Sequence, residues 1–114
     1  MNPTQKIARR YYDAWTSGDT TTVQTLLSPD FRFTAGDMTI DGREAFLDVG
    51  AFPRDATTTM VAEAYQDDVA FQMYDATRSD RTVRIVEQLT VRGDAITSSV
   101  FVTDPAAFAS LVAP

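Results

Sequence analysis

The 114-residue chain carries sixteen acidic and ten basic side chains, which gives a net charge of −6 and a pI near 4.4. Phosphates of nucleic acids and anionic membrane surfaces would repel such a chain, so neither is expected as a partner. The absence of cysteine and histidine excludes disulfides, thiolate chemistry, serine–histidine triads and the commonest zinc ligand. We therefore expect no metal and no cofactor. Without a signal pattern or a long apolar run, a cytoplasmic protein is the default expectation.

Local signals predict a first helix at the start of one domain that spans residues 1–114. Asn2, Pro3 and Gln5 read as an N-cap, a proline at the first helical position and a capping-box partner. The helix is expected to run to about Ser17, where Gly18 ends it as a C-cap. One face of this helix carries residues at helical spacing, namely Ile7, Tyr11, Ala14 and Trp15.

A second helix and a small strand pair are predicted next. Asp19 can cap a short helix, which a Ser-Pro-Asp sequence at 28–30 then interrupts. Short strands are expected at 31–34 and 38–40, joined by a turn at Gly36-Asp37.

A third helix is predicted from a second capping box. Asp41 stands three positions before Glu44, which places a cap and its partner at the start of a helix that runs to about Val49. Gly50 and Pro53 are expected to end it.

The second half of the chain alternates between apolar and polar residues, as β-strands do. Strands are predicted at 57–66, 69–75, 81–92 and 96–102, with Gly93-Asp94 as a tight hairpin turn. If that loop has two residues, Val91 faces Ile96 and Glu87 faces Val100. Asp104-Pro105 starts either a final helical turn over 106–112 or a tail.

Glu87 is the strongest functional signal, because it lies within the apolar row of the strand at 81–92. One face of this strand carries Val83, Ile85, Glu87, Leu89 and Val91. The other face is polar and carries Thr82, Arg84, Val86, Gln88, Thr90 and Arg92. A carboxylate on the core-facing side is paired, protonated or lines a cavity, since burying it bare costs too much. The pattern therefore predicts a pocket without naming its ligand.

Three local motifs, taken with the order of the elements, resemble the SnoaL-like branch of the nuclear transport factor 2-like superfamily. The motifs are R-R-Y-Y-D-A-W-T-S-G-D at 9–19, L-L-S-P-D-F-R-F at 26–33 followed by I-D-G-R-E-A-F at 40–46, and Glu87 six positions before Gly93. The resemblance implies an α+β cone, in which three N-terminal helices pack in the concave face of a curved, mostly antiparallel sheet. It also implies a homodimer packed through the outer sheet face, where Val86 and Phe101 would suit the interface.

The resemblance to ketosteroid isomerase, a member of the same superfamily, suggests roles for three residues. Aligned through Gly18-Asp19, Tyr11 falls at the tyrosine of the oxyanion hole, and Glu87, aligned through Gly93, falls at an aspartic acid that stays protonated. The position of the general-base aspartate is held by Ala35. Asp37, two residues later, is the only carboxylate nearby, although aspartate after glycine is also common in turns for backbone reasons.

Two function hypotheses follow. The first is a cofactor-free enzyme for a small hydrophobic carbonyl compound, an isomerase, cyclase or lyase, with Glu87 as acid, base or hydrogen-bond donor. Tyr11 would act as oxyanion donor and Asp37 as a candidate base. The second is a non-catalytic ligand-binding or dimerisation module with the same fold. Apolar residues that either line the pocket or simply form core are Trp15, Phe33, Met38, Phe52, Phe71, Met73 and Phe101.

Overall fold

A computed structural model describes residues 2–49 and 52–114 of the chain. The helices in this part are α1 (Pro3–Ser17), α2 (Thr20–Leu26), α3 (Arg43–Asp48) and α4 (Pro105–Val112). The strands are β1 (Leu27–Ala35), β2 (Met38–Asp41), β3 (Thr57–Gln66), β4 (Val69–Arg78), β5 (Arg81–Arg92) and β6 (Ala95–Thr103). None of the helices described here is long and apolar enough to cross a membrane.

The six strands form one curved sheet in the order β2-β1-β6-β5-β4-β3. Only β1 and β6 pair in parallel, and the other neighbours in the sheet are antiparallel. The three N-terminal helices pack against this sheet, which confirms the predicted α+β cone. Of the two alternatives for the end of the chain, a helical turn or a tail, the structure has the helix, α4.

The ends of α1 and α2 agree with the predicted caps. Asn2 accepts a hydrogen bond from the backbone N–H of Gln5 at 2.7 Å, and Gly18 ends α1 with φ 77°. Asp19 accepts from the backbone N–H of Thr22 at 3.1 Å and begins α2. These contacts satisfy N–H groups that the helices leave free at their first turns.

The predicted capping box at Asp41 is wrong. Asp41 is the last residue of β2, where it pairs with Arg32 in the strand ladder and its Oδ1 lies 3.2 Å from Nε of that arginine. Its side chain is therefore unavailable to α3, whose N-cap is Gly42 with φ 98° and no side-chain bond. The expected end of α3 at Gly50 falls outside the described residues.

A β-bulge at Thr97 decides which residues of β6 face the core. Val91 lies opposite Ile96 as predicted, but Thr90 lies opposite Ser98, so Thr97 is an extra residue on β6. Every later pair shifts by one position, and Glu87 lies opposite Phe101 instead of Val100. A one-residue shift exchanges the two faces of a strand, so Ser99 and Phe101 point inward.

The same bulge overturns the expected role of Phe101 in the outer face. Phe101 is 5% exposed, whereas Val100 and Val102 are 40% and 57% exposed. The apolar residues that β6 presents on the outer side of the sheet are therefore these two valines.

The inner face of β4 is also the reverse of the one suggested by its apolar residues. The buried, inward side chains of β4 are Ala70, Gln72, Tyr74 and Ala76. Phe71 points to the opposite face and is exposed. The pairing of β4 with β5 fixes this choice, because Gln72 lies opposite Glu87. Two alanines on this face leave room for α1 to approach the sheet closely, and Gln72 donates to the carbonyl oxygen of Ala8 at 3.1 Å.

Candidate functional site

Glu87 is buried in the interior of the sheet and is held by two hydroxyl groups. Glu87 is only 2% exposed. The hydroxyl of Tyr74 donates to Oε1 at 2.6 Å, and the hydroxyl of Ser99 donates to Oε2 at 3.0 Å. Burial raises the pKa of Glu87, and the two hydrogen bonds oppose that rise because they stabilise the charged form. Both carboxylate oxygens are thus fixed as hydrogen-bond acceptors.

Tyr74 is positioned by its strand and by α1. It is fully buried on β4, and the ring of Tyr12 packs edge-on against it with 5.1 Å between centroids. Tyr12 is itself fixed, because its hydroxyl bonds to Oγ1 of Thr58 at 2.7 Å. Burial raises the pKa of Tyr74, and the nearby charge of Glu87 raises it further. Tyr74 therefore stays protonated and can serve as a donor to Glu87.

Tyr11 supplies a donor that has no partner. It is 1% exposed, and its hydroxyl makes no hydrogen bond within the described part of the chain. Burial raises the pKa of Tyr11, and the nearby charge of Glu87 raises it further. The two groups therefore lie in one region of the interior. A buried hydroxyl without a partner costs free energy, which makes it a candidate contact for a ligand acceptor atom.

Trp15 carries a second donor of this kind, one helical turn after Tyr11. The two rings are stacked, with 6.4 Å between centroids and 3° between planes. The indole Nε1 is buried and meets hydrogen-bond geometry with no acceptor among residues 2–49 and 52–114, but it lies close enough to the Tyr74 hydroxyl to oppose the rise in the pKa of that group. Both unpaired donors therefore come from the core-facing side of α1.

Aromatic side chains fill the interior around these polar groups. Four of the seven apolar residues predicted for a pocket are located there, namely Trp15, Phe33, Phe52 and Phe101. Phe33 lies 5.6 Å from Phe101 between centroids, and Trp15 lies 6.0 Å from Phe52. Phe46, which the sequence had not marked, contacts both groups through Phe33 and Trp15.

The other three predicted pocket residues do not reach the interior. Met38 is 47% exposed on the short strand β2, which lies at the edge of the sheet. Phe71 and Met73 belong to the outer face of β4, because the inward face is set by Gln72 and Tyr74. Met38 and Phe71 are thus exposed, and Met73 is partly buried on the outer face.

Asp37 lies in the exposed turn between β1 and β2, beside Gly36 with φ 61°. Ala35, at the end of β1, pairs with Phe101. The turn interpretation of Asp37 is therefore the better one, and the structure does not bring it together with Glu87 and Tyr11.

Glu87 lines neither of the two best-defined cavities in the described part of the chain. One of about 10 Å³ lies between the helices beside Trp15 and Phe46, and is about large enough for one water molecule. The other is an open groove of about 330 Å³ between α4 and the β4–β5 turn. In this conformation the aromatic side chains occupy the space next to the carboxylate.

The described residues contain no group of three or more acidic, histidine or cysteine side chains placed to hold a metal ion. The polar side chains nearest Glu87 are the hydroxyls of Tyr74 and Ser99 and, directly opposite in the sheet, the amide of Gln72. Such a set can accept or donate protons and hydrogen bonds.

Tyr74 and Ser99 are the site residues that the sequence analysis missed. Tyr74 could have been found, because a turn at Ser79-Asp80 pairs Gln72 with Glu87 and places Tyr74 on the same face. Ser99 could not, because its inward direction depends on the bulge at Thr97.

Solved structures with this fold come from several bacteria. A Kribbella flavida protein provisionally named a ketosteroid isomerase has a TM-score of 0.83 and 21% identity, covering 90% of this chain and 78% of that chain. A Jannaschia protein provisionally named a SnoaL-like polyketide cyclase has a TM-score of 0.82 and 17% identity, covering 98% and 93%. An NTF2-like protein of unknown function from Cytophaga hutchinsonii has a TM-score of 0.78 and 14% identity, covering 92% and 93%. At such identities the likeness shows the fold alone.

The sequence itself gives the family. No curated protein matches the chain. The family model described as the SnoaL-like domain matches residues 8–99, a segment that runs from α1 into β6 and includes Tyr11, Tyr74, Glu87 and Ser99. The chain therefore belongs to the SnoaL-like domain family.

Proposed function

We propose that this protein binds a small hydrophobic carbonyl compound and moves a proton on it, with Glu87 as the proton acceptor. The observation that carries the proposal is the buried carboxylate, which accepts hydrogen bonds from Tyr74 and Ser99 in the same region as the unpaired hydroxyl of Tyr11. Perturbed carboxylates in apolar surroundings are frequent at catalytic sites.

The chemistry needs one acceptor and one donor. Glu87 in its charged form would take a proton from a carbon next to the ligand carbonyl, and the electron pair left behind would move onto the carbonyl oxygen. The hydroxyl of Tyr11 would donate a hydrogen bond to that oxygen as its negative charge develops. In a ligand with a double bond beside that carbon, the electron pair spreads to the far end of the double bond, and Glu87 would return the proton there, which moves the double bond next to the carbonyl and completes an isomerisation.

The raised pKa of Glu87 suits this role. A general base works best when its pKa lies near the working pH, because it then accepts a proton readily and still releases it. Burial provides the rise, while Tyr74 and Ser99 keep the charged form accessible. Glu63 does not offer this, because its pairing with Arg9 lowers its pKa.

The test is NMR titration of the three glutamate carboxyls, with and without a panel of hydrophobic ketones. We expect the pKa of Glu87 to lie above the ordinary glutamate value and to move when a ketone binds. Glu87→Gln should abolish proton exchange on the bound ketone, whereas the matched variant Glu63→Gln should leave it unchanged. A Glu87 that titrates normally and ignores every ketone would refute the proposal.

A second candidate is a non-catalytic binding or dimerisation module. The filled space beside Glu87 favours it, because no ligand-sized cavity among those described reaches the carboxylate. In this case Glu87 acts only as a polar anchor between β4, β5 and β6. Ketone binding that leaves the carbon-bound protons unexchanged would support this candidate over the first.

We also propose a homodimer formed through the outer sheet face. Met73, Val86 and Val102 lie side by side across β4, β5 and β6, and Phe71 and Val100 flank them in the adjacent row. These five residues, here called the outer patch, form an apolar surface over three neighbouring strands, in which Phe71, Val100 and Val102 are exposed and Met73 and Val86 are partly buried. Contiguous exposed apolar surface is typical of protein interfaces.

Sedimentation equilibrium tests the dimer. Val102→Glu places a charge in the outer patch and should yield monomers at concentrations where the unmodified chain dimerises. Thr82→Glu places the same charge on the same face of β5 outside the outer patch, and should leave the dimer intact. A monomeric unmodified chain, or equal effects of both substitutions, would contradict the interface.

A further inference from the structure

Helix α4 lies over the part of the inner sheet face that adjoins Glu87. The ring of Phe108 packs edge-on against Phe101 with 5.2 Å between centroids. Phe101 lies directly opposite Glu87 in the strand pair, so the two side chains point to the same face. Phe108 therefore covers the aromatic ring that lies opposite Glu87 in the strand pair. Leu111, one helical turn later, is 1% exposed and extends this cover into the core.

Two arginines at the β4–β5 turn hold the far end of α4. Arg78 donates from Nη1 to the carbonyl oxygens of Leu111 at 2.8 Å and Ala113 at 2.7 Å. Arg81 donates from Nη1 to the carbonyl oxygen of Ser110 at 3.0 Å. The last carbonyls of a helix have no partner inside the helix, so these bonds fix its end. We call this pair of arginines the latch.

The attachments of α4 and α1 differ in kind. The body of α1 is fixed by a buried hydrogen bond from Gln72 to the carbonyl oxygen of Ala8, besides the partly buried bond from Tyr12 to Thr58. The latch bonds are exposed or only partly buried, and an open groove of about 330 Å³ lies beside them. Segments held by few buried contacts open at lower free energy than the elements they cover. Helix α4 has one buried residue, Leu111, whereas α1 has five, so α4 is the element over this face that can move most easily.

We propose that α4 is a movable cover of the ligand site, and that a flat apolar molecule binds by replacing Phe108 against Phe101. The inference rests on the proposed function, because it supplies the entrance that a ligand of Glu87 requires. Two aromatic rings, Phe101 and Phe33, remain on the sheet as the surface that a flat ligand would contact.

The first measurement is amide hydrogen exchange of the unmodified chain by NMR. The N–H of Phe108 bonds to the carbonyl oxygen of Asp104 inside α4, and its exchange reports opening of the helix. We expect it to exchange at least about tenfold faster than the amides at the centre of β5. If the α4 amides exchange only as slowly as those of β5, the cover opens only with global unfolding and the proposal is overturned.

The second measurement uses latch variants and Prodan, a flat fluorescent naphthyl ketone. Arg78→Gln combined with Arg81→Gln should speed exchange in α4 and tighten Prodan binding about fivefold, since less free energy is then spent on opening. Phe108→Ala should tighten binding as well. The matched control is Arg84→Gln, because Arg84 pairs with Asp75 on the outer sheet face and does not touch α4.

Intermolecular NMR contacts locate the probe. Contacts from Prodan to the rings of Phe33 and Phe101 would support the cover, whereas contacts only to Val100 and Val102 would place the probe on the outer patch and overturn it. Unchanged Prodan affinity in the latch variants would also overturn it. If the probe reaches Phe101 while the pKa of Glu87 does not respond, the cover stands and the proposed proton transfer fails.

Discussion

The hydroxyl of Tyr74 and the carboxylate of Glu87 are joined by a 2.6 Å hydrogen bond that runs diagonally across two strands. Tyr74 lies opposite Ile85, and Glu87 lies opposite Gln72, so the bond joins adjacent cross-strand rows. A diagonal separation of this kind is within reach only of long side chains such as tyrosine. The bond therefore ties the position of the candidate base to the register of β4 against β5.

Replacing Tyr74 with phenylalanine should raise the pKa of Glu87 further. The Tyr74 hydroxyl stabilises the charged form of Glu87 more than the protonated form. Its loss therefore favours the protonated form. A hydrogen bond to a charged group typically contributes about 1.5–3 kcal/mol, and we expect a loss of stability of that order near neutral pH. NMR titration and urea unfolding measure the two effects.

Ser99→Ala is the companion variant. The bond from Ser99 to Glu87 is longer, at 3.0 Å, so we expect the pKa of Glu87 to rise here too, but by less.

A fall in the pKa of Glu87 in Tyr74→Phe would mean that the carboxyl group donates to the tyrosine. The assignment of Glu87 as a base would then be wrong.

Replacing Tyr11 with phenylalanine should have a different signature. Its hydroxyl is buried without a partner in the described part of the chain, so removing it leaves no broken hydrogen bond. We expect the free energy of unfolding to stay the same or to rise by up to about 1 kcal/mol, because a desolvation cost disappears. Affinity for a ketone should fall instead, by about tenfold for one lost hydrogen bond. Thermal unfolding and ketone titration would show whether stability and binding separate in this way.

The raised pKa of Glu87 predicts a specific dependence of stability on pH. The folded state binds the Glu87 proton more tightly than the unfolded state. This contribution is complete below the unfolded pKa and is lost as the pH rises through the folded pKa. Glu63, whose pKa Arg9 lowers, contributes in the opposite sense, losing its contribution as the pH falls.

A difference curve isolates Glu87 from the other carboxyls. The free energy of unfolding of the unmodified chain minus that of Glu87→Gln should decrease with rising pH, since only the unmodified chain loses a proton at this position. Urea unfolding across this pH range measures the curve. A difference that grows with rising pH would show that the hydrogen bonds from Tyr74 and Ser99 lower the pKa of Glu87 by more than burial raises it.

Alternation in β5 was enough to predict that Glu87 faces the interior. Its row of apolar neighbours is regular over the whole strand, and the structure keeps that regularity. The same reasoning failed on β4, where the larger apolar residues Phe71 and Met73 point outward. Small inward residues, Ala70 and Ala76, are required there by the close packing of α1, and a pattern of hydrophobicity alone does not contain that requirement.

Deletion of Thr97 tests the bulge directly. Without Thr97, Ile96 would be followed by Ser98, and strict alternation would still direct Ser99 and Phe101 inward. We expect the deletion variant to fold with a change in stability of about 1 kcal/mol, since bulges disturb the ladder only locally. Its Glu87 should titrate as in the unmodified chain, because the bond from Ser99 is retained.

Deletion of Val100 is the matched control, since it removes one residue from the same strand beyond the bulge. It would keep Ser99 inward but turn Phe101 to the outer face, and the loss of a buried phenylalanine from the core typically costs about 3–5 kcal/mol. Circular dichroism with urea unfolding would rank the two variants. Equal tolerance of both deletions would mean that β6 can slip against β5, and that the bulge does not fix the neighbours of Glu87.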